Sequence, residues 1–77
     1  MNIENILNEG ISILKQGKIP NPQLDSEILL SDSIKRDKKH IILNPKEFIS
    51  SEQVETFKYL IERRKKGEPI AYLINKK

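Results

Sequence analysis

The chain of 77 residues has room for one small domain, since a domain of this size buries only about 60% of the surface of its unfolded chain. It holds no cysteine and one histidine, which excludes a disulfide framework and a thiolate metal site. The net charge of +3 is uneven: residues 1–34 hold two lysines against five acids, and residues 35–77 hold twelve basic residues against six acids. This asymmetry is typical either of a solvated lysine-rich surface or of a second half that meets an acidic or nucleic-acid partner.

The first predicted element is an amphipathic helix over residues 3–16, whose apolar residues recur at a spacing of three to four. Asn2 is the expected N-cap, and Gly17 is expected to end the helix. Gly10 lies inside the apolar arc, where glycine costs about 1 kcal/mol relative to alanine. We interpret Gly10 as a position at which another backbone comes close.

Two prolines make residues 18–22 a stiff connector to the second predicted helix. Asn21 is expected to cap this helix, Pro22 to occupy its first position, and the helix to run to about Lys35. Its apolar residues occupy most of the circumference, which is typical of a central helix covered by its neighbours. The residues expected to be among the most buried are Leu24, Ile28 and Leu29.

The next segment, residues 36–44, allows two interpretations. Asp37 could cap a short helix that ends at Leu43, or residues 41–43 could form a strand. An isolated strand would have nothing to pair with, so we favour one or two helical turns. The single histidine, His40, is flanked by lysines here and is expected on the surface rather than in the role of a catalytic base.

The fourth helix has the clearest start, because Ser50 and Gln53 fit the capping box. Basic residues 63–66 fill its last turn, where cations favour the helix dipole, and Gly67 terminates it. A fifth, short helix is predicted from Pro69 to about residue 74, with Asn75 ending it. The expected fold is therefore all-α: a small helical bundle of about five helices, two of them short.

A pair of opposite charges stands on the apolar sides of two predicted helices. At 100° per residue, Asp25 falls between apolar residues of the second helix, and Arg64 falls within the apolar arc of the fourth. Each charge is costly alone, but both are tolerated if they meet or if Arg64 reaches carbonyls at a helix end. We predict a structural pair with Tyr72 as third member; the alternative is that both charges reach water at the rim. The basic residues left facing solvent are then Arg63, Lys65 and Lys66.

Catalytic patterns are missing from the sequence: its three glycines are isolated, and no nucleophile is paired with a base. The basic clusters at 35–39 and 63–66 could contact phosphates, but no aromatic residues are interleaved with them for base stacking. From its residues alone, the chain is a helical module without an active site.

Three stretches together resemble one known family. They read IPNPQLDSEILL (19–30), LNP (43–45) and IERRKKGEPIAYL (61–73). In this order and at these separations they resemble the N-terminal domain of the PrmC/HemK family of peptide chain release factor glutamine N5-methyltransferases, over nearly the whole chain. Asn75 departs from the family, which usually has glycine there; asparagine also tolerates a positive φ.

The resemblance implies that residues 1–77 are the N-terminal helical domain of a cytoplasmic methyltransferase. The Rossmann-like domain, which binds S-adenosylmethionine and acts on the Gly-Gly-Gln motif of release factors in translation termination, is not in this chain. The fragment is expected to be a monomer that is non-catalytic, binds no cofactor or metal, touches no membrane and helps to recognise the release factor. A free-standing basic module that binds nucleic acid or another protein stays open as the alternative. The candidate contact residues for the release factor are Arg63, Lys65 and Lys66.

Overall fold

Five α-helices make up the regular structure of residues 1–74, which are the residues that the computed structural model describes. This arrangement confirms the predicted all-α fold, and the segment before residue 44 is helical rather than a strand. The predicted role of Asn75 lies outside the described residues. The helices are α1 (Ile3–Gln16), α2 (Pro22–Ile34), α3 (Lys38–Leu43), α4 (Ser51–Lys65) and α5 (Ile70–Ile74).

The starts of α1 and α4 follow their local sequence signals. The side chain of Asn2 accepts a hydrogen bond from the main-chain N–H of Asn5 at 2.9 Å. At the start of α4, Ser50 and Gln53 form a complete capping box, each side chain accepting from the other residue's main-chain N–H. Both predicted caps are confirmed, because a cap depends only on residues within one turn of the helix end.

The start of α2 differs from the prediction. Asn21 makes no capping hydrogen bond through its side chain. Pro22 stands at the first position as predicted, where its fixed φ suits a helix and its missing N–H leaves one donor fewer to satisfy. At the other end, Lys35 adopts a left-handed conformation with φ of 61°, and Asp37 then caps α3 as predicted.

The second helix is central, as its apolar circumference predicts, since it packs against all four other helices. Leu29, Leu30 and Ser26 are fully buried. The expectation for Leu24 and Ile28 is wrong: Leu24 is 43% exposed and Ile28 is only half-buried. At 100° per residue both lie on the side of the helix opposite Ser26, and the neighbouring helices cover the Ser26 side.

Gly10 allows a close approach, but of a side chain rather than a backbone. A Cβ atom built at Gly10 would lie 2.6 Å from Cζ of Phe57 and 3.1 Å from Cδ1 of Ile61. Phe57 and Ile61 are fully buried and belong to one core that all five helices share. The glycine therefore sets the distance between α1 and α4.

The segment before α4 closes the bundle at the start of α1. The main-chain N–H groups of Ile3 and Glu4 donate to the carbonyls of Glu47 and Pro45 at 3.0 and 2.9 Å. These bonds satisfy two of the donors that a helix start leaves free. His40, expected on the surface, is only 19% exposed, because its Nε2 lies 2.7 Å from Oε1 of Glu47 and ties α3 to this segment.

The directions of the helices define two ends of the bundle. α1 and α4 both begin beside the 45–49 segment, and both end where Gly17 meets Lys65. α2 runs the opposite way, since Asp25 near its start contacts Arg64 near the end of α4. We call this second end, where α5 packs on α2 and α4, the α5 end. Within residues 1–74, no helix is both long and apolar enough to cross a membrane.

Candidate functional site

Asp25 and Arg64 lie together at the α5 end. Arg64 Nε donates to Oδ2 of Asp25 at 2.8 Å, and the two side chains are only 20% and 10% exposed. Asp25 belongs to the first turn of α2 and Arg64 to the last turn of α4, so each charge also suits the dipole of its own helix. The contact joins two helix ends that are 39 residues apart in sequence.

Arg64 makes a second contact with the turn that follows α4. Its Nη1 donates to the main-chain carbonyl of Glu68 at 3.1 Å. Both partners considered for Arg64 from the sequence, a carboxylate and a carbonyl near a helix end, are therefore present at once. Arginine can do this because its planar guanidinium carries five donors in a rigid fork, whereas lysine presents a single point charge.

Arg63 lies at the surface, with its side chain 39% exposed, and it is also held by the same turn. Its Nη2 lies 2.6 Å from Oε1 of Glu68, and its Nε donates to the same carboxylate at 3.0 and 3.1 Å. The guanidinium also covers the Tyr59 ring, 5.3 Å from the centroid, and donates to the Tyr59 hydroxyl at 3.2 Å. The charge of Arg63 is therefore paired with a carboxylate of the same domain.

The paired charges shift each other's protonation. The hydrogen bond from Arg63 lowers the pKa of Glu68, although partial burial opposes the shift; the charges of Arg63 and Lys66 lower it further. In return, the hydrogen bond to Glu68 raises the pKa of Arg63. Glu68 therefore stays ionised in mildly acidic solution, and the turn keeps its contact there.

Tyr72 does not join the Asp25–Arg64 pair. It is 76% exposed, while its neighbour Leu73 is 8% exposed and packs into the core. Successive residues on a helix point about 100° apart, so burying Leu73 turns Tyr72 outward. The third member of the cluster is Glu68, which the sequence reasoning missed, although its position just after Gly67 marked the turn.

Lys65 and Lys66 contribute to a wider basic surface than the sequence indicated. A Cβ atom built at Gly17 would lie 2.6 Å from Cγ of Lys65, so the ends of α1 and α4 touch. This contact places Lys15 and Lys18, which flank Gly17 and are exposed, at the same end as Lys66. We call Lys15, Lys18, Lys65 and Lys66 the basic edge; the first two were missed because they belong to the acidic half of the sequence.

A cleft of about 500 Å³ lies beside the basic edge, between α1 and the start of α2. Exposed Leu24 forms part of its wall, and its lining mixes apolar side chains with polar ones. Such a surface can hold a segment of another chain. The lining residues are Ile11, Lys15, Pro20, Asn21, Pro22, Gln23, Leu24 and Glu27.

Acidic and histidine side chains do not gather into a metal site anywhere in residues 1–74. The chemistry that the α5 end does present is charge, hydrogen-bonding groups and a shallow cleft. These groups can bind and orient a partner.

These features define a small, basic, all-α domain. A family model described as the PrmC N-terminal domain matches residues 5–74, and the chain belongs to this family, which confirms the resemblance seen in the sequence.

The relatives are longer proteins. The release factor glutamine methyltransferase of Buchnera aphidicola subsp. Schizaphis graminum is 42% identical over 77 residues, which are 100% of this chain and 27% of that protein. The enzyme of the same name from Clostridium botulinum is 35% identical over 74 residues, or 96% of this chain and 26% of that protein. The bifunctional methyltransferase of Rickettsia bellii is 36% identical over 75 residues, or 97% of this chain and 14% of that protein. The chain thus spans about a quarter or less of these relatives, and no solved structure matches it significantly.

Proposed function

We propose that this chain is the N-terminal, substrate-recognising domain of a methyltransferase that uses S-adenosylmethionine to modify the glutamine of the Gly-Gly-Gln motif in peptide chain release factors. The observation that carries the proposal is the match of the PrmC N-terminal domain model to residues 5–74. The printed names of the relatives from Buchnera aphidicola and Clostridium botulinum support the same activity for the whole protein. We place the parent protein in the cytoplasm, because release factors act on ribosomes, and we take a monomer as the default state.

The two parts of the parent protein have separate tasks in this proposal. The methyltransferase domain binds the cofactor and transfers the methyl group to the glutamine side chain. The helical domain binds a part of the release factor that is remote from this glutamine. Binding energy from such a remote contact can be used to hold the reacting group in place, so its loss lowers the rate of reaction as well as the affinity.

The basic edge is the part of the helical domain that we assign to the release factor. Of the three residues that the sequence suggested, Lys66 is exposed and Lys65 is half-buried, whereas Arg63 forms an ion pair with Glu68. Lys15 and Lys18 extend the exposed positive charge on the same end. An acidic surface of the release factor is the complementary partner, and such charge pairs mainly raise the rate of association.

Methyl transfer by the full-length protein tests the proposal. The purified enzyme is incubated with labelled S-adenosylmethionine and an intact release factor, and the modified residue is identified by mass spectrometry. We expect label on the glutamine of Gly-Gly-Gln and none on a release factor in which alanine replaces that glutamine.

Failure to label any release factor would overturn the proposal. A companion titration of the helical domain with RNA then examines the alternative of a basic nucleic-acid module, for which affinity falls steeply with salt. The two basic clusters lie at opposite ends of α2, roughly 20 Å apart for a helix of this length, so they do not form one continuous basic patch.

A further inference from the structure

The turn between α4 and α5 is held from three directions. Arg63 binds the carboxylate of Glu68 at 2.6 Å, and Arg64 binds the main-chain carbonyl of the same residue at 3.1 Å. Arg64 also binds Asp25 at 2.8 Å, so the turn is tied to α2 as well as to α4. Gly67 has φ of +105°, a conformation that residues with a Cβ atom rarely adopt, and this bends the chain sharply.

Stability alone gives a weak reason for the Asp25–Arg64 contact. Moving two charges out of water is costly, and apolar replacements of such pairs are often neutral or stabilising. The contact does fix the orientation of the turn relative to α2, because a guanidinium with several partners has one geometry that satisfies all of them. Asp25 and Arg64 therefore have the properties expected of residues that orient the turn.

The orientation of α5 depends on this turn. α5 has five residues and is about 7.5 Å long, and so short a helix is not stable by itself. Its described contacts are with α2 and α4, where Leu73 packs into the core. The direction of the chain at residue 74 is thus set by Leu73 and by the bonds around Glu68.

We propose that Arg64 is a positioning residue that fixes the direction in which the chain leaves the helical domain towards the methyltransferase domain. This inference rests on the proposed function. By binding Asp25 and the Glu68 carbonyl together, Arg64 sets the angle between the two domains. A release factor held on the helical domain then presents its glutamine at the distance that methyl transfer requires. A misplacement of about 1 Å in such an arrangement can lower a rate by about 100-fold.

The experiment compares two substrates of the full-length enzyme, an intact release factor and a short peptide that contains Gly-Gly-Gln. The variants are Asp25→Ala, which removes the acceptor of the 2.8 Å hydrogen bond from Arg64, and Arg64→Lys. The matched control is Lys58→Met, which removes an ion pair of 3.2 Å between α4 and α1 that has no contact with the turn. Thermal unfolding is followed for every variant, and small-angle X-ray scattering reports the spread of interdomain distances.

We expect kcat for the intact release factor to fall about tenfold or more in both variants, with little change in KM. The rate with the peptide should stay within about twofold of wild type, because a peptide needs no contact with the helical domain. Scattering should show a broader distance distribution in the variants and an unchanged one in the control. If Arg64→Lys unfolds the helical domain, Asp25→Ala decides the matter, since it removes the acceptor and leaves Arg64 with its bond to the Glu68 carbonyl.

Two results would overturn the inference alone: an active wild type whose variants keep full kcat on the release factor, or variants that lose the same factor on both substrates. A wild-type enzyme that methylates neither substrate would instead overturn the proposed function, and this inference with it.

Discussion

Breaking the Asp25–Arg64 contact measures how much of the stability of the domain depends on one partly buried ion pair. Arg64→Met removes the bond to Asp25 and the bond to the Glu68 carbonyl, and leaves a carboxylate that is only 10% exposed without its partner. Asp25→Asn is milder, because the amide oxygen can still accept a hydrogen bond from Arg64. We expect losses of about 3 kcal/mol for Arg64→Met and about 1–2 kcal/mol for Asp25→Asn.

The coupling energy follows from the exposure of the two side chains. Exposed pairs are worth about 0–1 kcal/mol, and breaking a buried pair costs about 3–5 kcal/mol. With exposures of 20% and 10%, the Asp25–Arg64 pair lies between these limits, and a coupling of about 1–3 kcal/mol is expected. The Glu68 bond is absent from both Arg64→Met variants, so it cancels in the double-mutant cycle.

Urea denaturation of the 77-residue chain, followed by circular dichroism, gives the free energies for the four proteins of the cycle. The stability expected for this length is about 4–12 kcal/mol, so a loss of 3 kcal/mol is measurable. The control is the same cycle at Glu9 and Lys58, an exposed pair of 3.2 Å, where we expect less than about 0.5 kcal/mol. A coupling below about 0.5 kcal/mol for Asp25–Arg64 as well would refute the reasoning.

Four other substitutions test separate parts of the domain. Gly10→Ala should lower stability by about 1 kcal/mol, since its methyl group would lie 2.6 Å from Cζ of Phe57, and a gain in urea titrations would contradict this contact. Ser26→Ala should raise the free energy of unfolding by about 1 kcal/mol, because Ser26 Oγ is buried without a hydrogen-bond partner in residues 1–74. A lower free energy of unfolding in Ser26→Ala would mean that the hydroxyl group stabilises the fold. The pKa of Glu68 is lower in the folded chain than in the unfolded chain, where it has the ordinary value of about 4.3. The ionised carboxylate therefore stabilises the fold at pH values above the unfolded pKa, and this stabilisation is lost as the pH falls through the lowered, folded pKa. Glu68→Gln should therefore flatten the acid limb of the stability profile, and parallel profiles of variant and wild type would show that the charge is irrelevant. Lys66→Glu in the full-length enzyme should lower kcat/KM for the release factor through slower association, most strongly at low salt. If kcat/KM is the same as in the wild type at every salt concentration, Lys66 is a solvated residue at a helix end and does not contact the release factor.

The helix boundaries were predictable because their causes are local. Asn2, Asp37, and the Ser50–Gln53 capping box act within one helical turn, and all of them cap as expected. Asn21 is the exception, since Pro22 supplies the start of α2 without a side-chain bond.

The ion pair was predictable for a different reason. Asp25 and Arg64 interrupt apolar arcs, and a charge directed towards a core needs a partner of opposite charge. The prediction for Tyr72 is wrong because α5 is short, and the packing of Leu73 rather than a charge decides which way it turns.

By itself, the sequence determined the number of helices, their ends, the family and the need for a partner at each inward-facing charge. These properties depend on residue type and on spacing along one helix. Only the tertiary structure decided which side of α2 is buried, since its apolar residues surround the helix and periodicity selects no face. It also placed Lys15 and Lys18 beside Lys65, because two helix ends some 50 residues apart in the sequence meet through the packing of α1 on α4, and no local pattern encodes that distance.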